Sequence, residues 1–241
     1  MGGELEEAAN KLTTDTVKGF GLSAVKSEES TFQFYPFIYS AGGASYKELE
    51  TPEAIKSFEF IDGLLEEGYM SQDVLTATQD DLTRMFVEGD LAMMVNGPWM
   101  IDRISESADF EYGITYIPKD QEFASVTGGD NVSITKDGNV DAAWEFMKWL
   151  LAPEQNEKFA MDTGYYPTRT DVLHEAEYWK NEELVKEFIP IMEVAEARGP
   201  SANWPKVSEA IQLAIQETLT DTKTAEQALT DAAAKIKELE E

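Results

Sequence analysis

The spacing of apolar residues along the chain predicts short strands that alternate with helices, followed by a run of helices. Apolar positions at helical spacing predict helices over 4–12, 31–39, 52–67, 79–88, 141–151, 153–163, 181–197, 203–219 and 225–239, with a shorter helix after Trp99. Alternating apolar and polar residues predict strands over 19–25, 91–95 and 112–117. This order indicates an α/β fold, in which a mixed or parallel sheet carries helices on its faces and the C-terminal half is rich in helix.

Residues at the helix ends support two of these predictions. Thr51 can accept a hydrogen bond from the first helical turn, and Pro52 suits the first helical position. Gly68 follows the end of the same helix. Thr78 is followed three residues later by Asp81, which is near the spacing of a capping box.

The composition excludes several kinds of chemistry. The 241 residues, enough for one large domain or two small ones, include no cysteine and a single histidine, His174. Disulfides, thiolate nucleophiles and multi-histidine metal sites are therefore excluded, and we expect no metal or other cofactor. The formal net charge of −28 is spread over both halves of the chain. This charge opposes binding to nucleic acid or to an anionic membrane surface, and solubility is its simplest role.

The apolar runs and the first residues bear on membranes and on processing. No run approaches the roughly 20 apolar residues of a membrane-spanning helix, and 91–95 is typical of the longest runs. Residues 1–7 contain neither the basic segment nor the apolar segment of a signal peptide. They look like a short translation start joined directly to the interior of a helix. We therefore expect this chain to be a piece of a longer protein.

No motif in the chain selects a catalytic centre. The 47 acidic residues offer many carboxylate pairs, but nothing local distinguishes one pair as the acid and nucleophile of a glycosidase. The chain has no G-x-S-x-G elbow, phosphate-binding loop or G-x-G-x-x-G fingerprint. His174 lies beside two glutamates, and we expect it to be solvated rather than catalytic. These observations argue against an enzyme.

Aromatic residues at junctions between turns and helices are candidates for ligand contacts. Trp99 follows an Asn-Gly-Pro turn, Trp204 stands at a helix start, and Tyr165 lies in a turn between glycine and proline. Such rings can stack on the C–H faces of sugars, and a stacked aromatic contact contributes roughly 0.5–1.5 kcal/mol. Core packing is the expectation for the remaining tryptophans, Trp144, Trp149 and Trp179.

Several stretches, in this order and at these spacings, resemble one known family. They are Phe86 to Trp99, Gly128-Gly129 with Val132-Ser133-Ile134, Ala142 to Leu150, Pro153-Glu154, Thr163 to Arg169, Asn203-Trp204 and Ala225 to Leu229. The chain resembles the extracellular solute-binding proteins of ABC sugar importers, the group that includes maltose-binding protein. The resemblance implies a periplasmic-binding-protein type II-like fold, whose two lobes close on a ligand like a hinge. It also implies a receptor, not an enzyme, that delivers a carbohydrate to a membrane permease from an extracellular or periplasmic location.

The resemblance also assigns residues to the ligand-binding cleft. Trp99 matches the family's stacking tryptophan after Asn-Gly-Pro, and Trp204 matches another aromatic residue of the cleft. The others lie in a glycine-rich segment, an aromatic stretch and the rim: Gly128, Gly129, Asp130, Phe32, Tyr35, Tyr165 and Arg169. No catalytic residue and no metal ligand is implied.

The resemblance divides the chain between the two lobes. Residues 1–132 match the main part of the second lobe, 133–171 match a segment of the first lobe, and 172–241 match a helical return to the second lobe. A long N-terminal stretch that builds most of the first lobe in the family has no counterpart, because 4–12 resembles a helix well inside the family fold. The helix with Phe146, Trp149 and Leu150 would then lose its sheet and expose an apolar patch. We therefore expect half of a binding cleft, which a complementing N-terminal fragment or self-association would complete.

Three interpretations remain open from the sequence. The first is a carbohydrate receptor lobe that binds by aromatic stacking and polar rim contacts. The second is a glycan-active enzyme domain, and the third is a self-associating structural fragment with no ligand. Within the first, a polyol or a phosphorylated small molecule is an alternative cargo, although the acidic chain disfavours an anionic ligand.

Overall fold

Helices make up most of the fold. The computed structural model describes residues 3–43 and 45–241. The helices up to residue 163 are α1 (Gly3–Leu12), α2 (Glu28–Ser40), α3 (Pro52–Glu66), α4 (Gln79–Val87), α5 (Ile101–Ser107), α6 (Val140–Leu150) and α7 (Pro153–Thr163). The later helices are α8 (Thr170–Glu175), α9 (Glu177–Asn181), α10 (Glu183–Glu187), α11 (Ile189–Met192), α12 (Trp204–Leu219) and α13 (Ala225–Glu240). Short 3-10 turns lie at Gln72–Leu75 and Pro98–Met100, and the strands are β1 (Ser125–Thr127) and β2 (Ala195–Ala197). No helix in the described ranges is both long enough and apolar enough to cross a membrane.

The predicted helix caps are confirmed. Thr78 and Asp81 form a capping box, in which the Thr78 hydroxyl accepts from the Asp81 amide at 3.2 Å and the Asp81 carboxylate accepts from the Thr78 amide at 3.0 Å. Thr51 accepts a hydrogen bond from the Ala54 amide at 3.4 Å, with proline at the first helical position. These bonds satisfy backbone donors that the first turn of a helix leaves unpaired.

The main hydrophobic core forms between α1, α2, α3, α12 and α13. Phe34 of α2 and Phe58 of α3 are buried, and their rings meet edge to face with centroids 5.3 Å apart. Ile211 and Ile215 of α12 and Leu229 of α13 are also buried in this core. Nearly every side chain of α2 is buried, so this aromatic helix is enclosed by its neighbours. The candidate site lies at the N-terminal end of α2.

The strand predictions are only partly confirmed. Residues around 18–21 pair in parallel with 91–94, but they do so through two isolated bridges, Lys18 with Leu91 and Gly21 with Met94. The segment 112–117 is not a strand, and the Tyr112 hydroxyl contacts the Ser105 hydroxyl at 2.8 Å. The regular strands are β1 and β2, which pair in parallel, as the predicted α/β class requires.

The single helix predicted over 181–197 is wrong. Glu182 has an extended backbone, with φ −66° and ψ 119°, and separates α9 from α10. Pro190 lies in the first turn of α11, where its missing N–H cannot continue the hydrogen-bond ladder from α10. The last residues of the predicted helix form β2 instead.

A second, smaller core forms around Trp179, which is buried as predicted. It contains residues from the middle and late parts of the chain: Ile101, Ala160, Val172, Leu173, Trp179 and Val185. The Tyr166 ring packs at a tilt against the Trp179 ring, with centroids 5.1 Å apart. This core attaches α7 to the helices that follow it.

Helix α6 has no buried side chain. Phe146 and Trp149, whose ring centroids are 5.7 Å apart, are each 55% exposed. The exposure expected of these two residues is confirmed, whereas the expectation of core packing for Trp144 and Trp149 is wrong. Leu150 is half-buried rather than exposed. The physical reason is that α6 packs against α7 and leaves its apolar side chains without a cover. We call Phe146 and Trp149 the exposed aromatic surface.

Three carboxylates crowd together beside α3. Oxygen atoms of Asp62, Glu66 and Asp221 lie within 4.8 Å of one another. Burial, with the charges of Glu66 and Asp221, raises the pKa of Asp62 from 3.8 to about 6. Because this pKa lies above the usual value, the folded protein holds the proton more tightly than the unfolded chain does. The cluster therefore destabilises the fold near neutral pH, and this cost decreases as the pH falls from about 6 towards the unperturbed value of 3.8, below which it is absent.

Asp62→Asn is expected to raise the free energy of unfolding by about 1 kcal/mol at neutral pH, less than the full linkage value because solvent screens the group. The gain is expected to shrink as the pH falls below about 6 and to vanish only below about pH 3.8, where the carboxyl of the unfolded chain is protonated as well. Urea unfolding at the two pH values measures both quantities. Glu59→Gln, at an exposed position of the same helix, is the control. An equal gain at both pH values would contradict the role of the charge.

Candidate functional site

An arginine lies between two aromatic rings at the start of α2. The guanidinium carbon of Arg198 is 4.6 Å from the ring centroid of Phe32 and 5.8 Å from that of Trp204. The Arg198 side chain is only 13% exposed. Burial lowers the pKa of its guanidinium, and the charge of Glu28 opposes that shift. The guanidinium therefore lies within cation–π distance of both rings.

Glu28, the first residue of α2, holds this arrangement together. Its Oε1 accepts hydrogen bonds from the Trp204 indole N–H at 3.1 Å and from Arg198 Nη1. Its Oε2 accepts from the Ser208 hydroxyl, which also contacts the Thr31 hydroxyl at 2.9 Å. The carboxylate therefore neutralises the arginine and fixes the orientation of the Trp204 ring.

Trp99 adds a further aromatic ring next to Phe32. Its ring centroid is 6.1 Å from that of Phe32 and 5.8 Å from that of Tyr165. Gly97 makes this position possible, since a Cβ atom there would lie 2.1 Å from the Trp99 indole. At Gly164, which has φ +69°, a Cβ atom would lie 3.0 Å from the Trp99 backbone. The two glycines thus allow Trp99 to lie between Phe32 and Tyr165.

The pairing of β1 with β2 brings the glycine-rich segment to the arginine. Thr127 pairs with Ala197, so the next residues, Gly128 and Arg198, leave the strands side by side. A Cβ atom on Gly128 would lie 3.0 Å from Arg198 Nη2 and 3.1 Å from the Phe32 ring. Only a residue without a side chain lets the backbone approach both groups this closely. Gly129 and Asp130 follow and are exposed.

The structure thus brings several of the predicted site residues together and leaves others apart. Phe32, Trp99, Tyr165, Trp204 and Gly128 belong to one chain of contacts through Arg198. Their role in binding stays a prediction.

Two of the predicted site residues are held by other contacts. Tyr35 is fully buried and meets the Trp204 ring edge-on at 6.5 Å, so it supports that ring from behind and does not line a surface. Burial raises the pKa of Tyr35 well above its usual range, so the phenol stays neutral. Arg169 forms a two-pronged ion pair with Asp171, at 2.9 and 2.7 Å. Its guanidinium is therefore directed to its own turn, and its rim role stays a prediction.

Sequence reasoning missed Arg198 and Glu28. Arg198 lies directly before the Gly199-Pro200 break and has no motif of its own, and Glu28 is one of many carboxylates. A basic residue next to the turn that precedes Trp204 was the available signal, but only the β1–β2 register shows what it contacts. His174 is exposed on α8, as predicted.

The chain resembles known proteins in sequence. A sequence model described as a bacterial extracellular solute-binding protein matches residues 3–186. The maltotriose-binding protein of Pyrococcus abyssi is 32% identical over 186 residues, and the match covers 74% of this chain and 40% of that protein. A putative binding protein of Brucella abortus is 24% identical over 227 residues, covering 90% of this chain and 54% of that protein. The chain thus spans about half the length of the curated relatives it matches.

Solved structures resemble the chain over almost its whole length. A solute-binding protein of an ABC transporter from Thermotoga lettingae, bound with α-D-tagatose, matches with a TM-score of 0.86 at 28% identity. This match covers 99% of the chain and 64% of that protein. The maltose-bound MalE3 of T. maritima matches with a TM-score of 0.84 at 24% identity, and the match covers 98% of the chain and 64% of that protein. These likenesses confirm the predicted α/β fold of the periplasmic-binding-protein type II class.

Proposed function

This chain belongs to the family of bacterial extracellular solute-binding proteins, and we propose from that premise that it forms part of the carbohydrate receptor of an ABC importer. The observation that carries this proposal is the row of Tyr165, Trp99, Phe32, Arg198 and Trp204, in which tilted rings lie next to one another and a guanidinium lies over two of them. Such a row offers what a sugar needs, namely apolar faces for its C–H groups and hydrogen-bond donors for its hydroxyls.

The polar groups of the row suit hydroxyl groups. Within the described residues, the hydrogen bond that Arg198 donates goes from Nη1 to Glu28. Its Nη2, beside Gly128, and its Nε are then donors for a ligand hydroxyl, and the exposed Asp130 is an acceptor at the rim. Maltotriose and tagatose, named for two of the relatives, are carbohydrates with many hydroxyls and no charge, whereas a third relative is named for the anionic sn-glycerol-3-phosphate. The first two relatives support a neutral sugar as the ligand class.

The domain boundaries follow from the same proposal. Residues 1–132 and 172–241 form most of the second lobe, and 133–171, which includes α6, belong to the first. We assign the exposed aromatic surface of α6 to contacts with first-lobe polypeptide, because this chain covers only 64% of each of the two solved neighbours. That polypeptide would complete the cleft, and the whole receptor would deliver its ligand to a permease from an extracellular or periplasmic location.

Calorimetry with maltose, maltotriose and tagatose tests the proposal on residues 1–241. Because the chain supplies only part of a cleft, we expect weak binding, with a dissociation constant of about 1 mM or above, which corresponds to about −4 kcal/mol. Micromolar binding would contradict the half-cleft. The saccharide is then recovered and its length measured. Intact saccharide agrees with a receptor, whereas shortened product would support the glycan-active enzyme instead.

A second candidate, the self-associating fragment, draws on the exposed aromatic surface alone. Light scattering over a range of concentrations separates it from the receptor proposal. We expect a monomer, because the surface is assigned to another part of the same fold. A dimer that Trp149→Gln abolishes, while Trp144→Gln leaves it intact, would show instead that a second copy covers this surface.

A further inference from the structure

We propose that Glu28 makes this site selective for neutral over anionic ligands by keeping the charge of Arg198 neutralised. The inference rests on the proposed function, since it assumes that Arg198 faces the ligand. A buried guanidinium without a partner is a strong attractant for phosphate and carboxylate groups, which it binds through parallel N–H donors. Glu28 occupies one side of the Arg198 guanidinium and supplies the opposite charge.

Three donors fix Glu28 in this role. The Trp204 indole N–H, the Ser208 hydroxyl and Arg198 all donate to its carboxylate. Two of the three donors are neutral, so the carboxylate keeps these hydrogen bonds even where a ligand accepts hydrogen bonds from Arg198. Glu28 also lies in the first turn of α2, where the helix dipole favours a negative charge. An arriving ligand therefore meets a carboxylate that two neutral donors hold beside Arg198.

Neutral and anionic ligands experience this ion pair differently. A sugar hydroxyl can accept a hydrogen bond from Arg198 Nη2 or Nε without any charge penalty. A phosphate group at the same donors would lie close to the Glu28 carboxylate, in a partly buried site where like charges repel strongly. The same arginine thus favours a hydroxyl and rejects a phosphate, which is specificity through a repulsive element.

Glu28→Gln removes the charge and keeps the shape. The glutamine Oε1 can still accept a hydrogen bond from Trp204, while the positive charge of Arg198 is no longer compensated. Glu29→Gln is a matched control with the same change in net charge on the neighbouring residue. Glu29 bonds to the Gln79 amide at 2.8 Å and to the Ser23 hydroxyl at 3.3 Å, on a side of the helix away from Arg198.

The test follows the Trp204 indole N–H by ¹⁵N NMR while inorganic phosphate is added at constant ionic strength. Glu28→Gln is expected to bind phosphate at least about tenfold more tightly than the wild type. Glu29→Gln is expected to match the wild type, and Glu28→Gln combined with Arg198→Gln is expected to lose the gain. Equal phosphate affinity in Glu28→Gln and Glu29→Gln would overturn the inference, as would a gain that survives without Arg198.

A parallel titration of the wild type with maltotriose reports on the proposed function separately. If maltotriose fails to shift the Trp204 signal, the receptor proposal fails, whatever phosphate does. If maltotriose shifts it and Glu28→Gln gains no phosphate binding, only the role of Glu28 fails. Thermal unfolding of each variant confirms that the compared chains are folded.

Discussion

Phe58→Ala is expected to lower the free energy of unfolding by about 3–5 kcal/mol. Phe58 is fully buried and meets Phe34 edge to face, so truncation removes both burial and a ring contact in the core that supports α2. A loss of this size is a large share of the roughly 5–15 kcal/mol that stabilises a typical domain. Urea unfolding followed by circular dichroism measures it.

Phe159→Ala is the matched control for this prediction. Phe159 lies on α7 with 52% of its side chain exposed, so the same substitution is expected to cost less than about 1 kcal/mol. Losses of similar size at the two positions would contradict the assignment of the core.

Trp204→Ala is expected to weaken sugar binding by about 30-fold, which corresponds to about 2 kcal/mol. The substitution removes the ring that adjoins Arg198 and the N–H that donates to Glu28. An NMR titration of the Trp99 indole N–H with maltotriose at high concentration measures the loss, because the expected dissociation constant moves from about 1 mM to about 30 mM. Trp204→Phe keeps a ring against Tyr35 and Tyr46 but has no N–H, and it is expected to bind with intermediate affinity.

Trp144→Ala serves as the control for the Trp204 variants. Trp144 is a tryptophan with 54% exposure on α6, outside the row of rings. It is expected to leave sugar affinity unchanged. An equal loss in Trp144→Ala, or none in Trp204→Ala, would contradict the location of the site.

Local chemistry explains which elements could be predicted. The capping box of Thr78 and Asp81 depends on two residues that are three positions apart, so the start of α4 can be predicted from the sequence alone. The helix predicted over 181–197 is broken at two places. Glu182 has an extended backbone, although glutamate does not require one. Pro190 lies within a run whose apolar residues keep helical spacing, so the pattern alone does not show the break. Boundaries of this kind are decided by tertiary contacts.

The site residues also divide into those that the sequence could predict and those that it could not. Trp99 and Trp204 could be singled out because each follows a turn and matches a family pattern. Arg198 could not, because its position beside Gly128 depends on the register of two three-residue strands that are far apart in the chain. Tyr35 was misjudged because almost all of α2 is buried, and such a helix has no apolar stripe that distinguishes an inner face. Phe32, three residues away, contacts the arginine instead.

The most direct test of the central claim is an NMR titration of the ¹⁵N-labelled chain with maltotriose. The five tryptophan indole N–H signals are assigned with single Trp→Phe variants. We expect the Trp99 and Trp204 signals to shift together and saturate, while those of the buried Trp179 and the exposed Trp144 do not move. Unchanged Trp99 and Trp204 signals at the solubility limit of the sugar, or a shift at Trp144 alone, would contradict this claim.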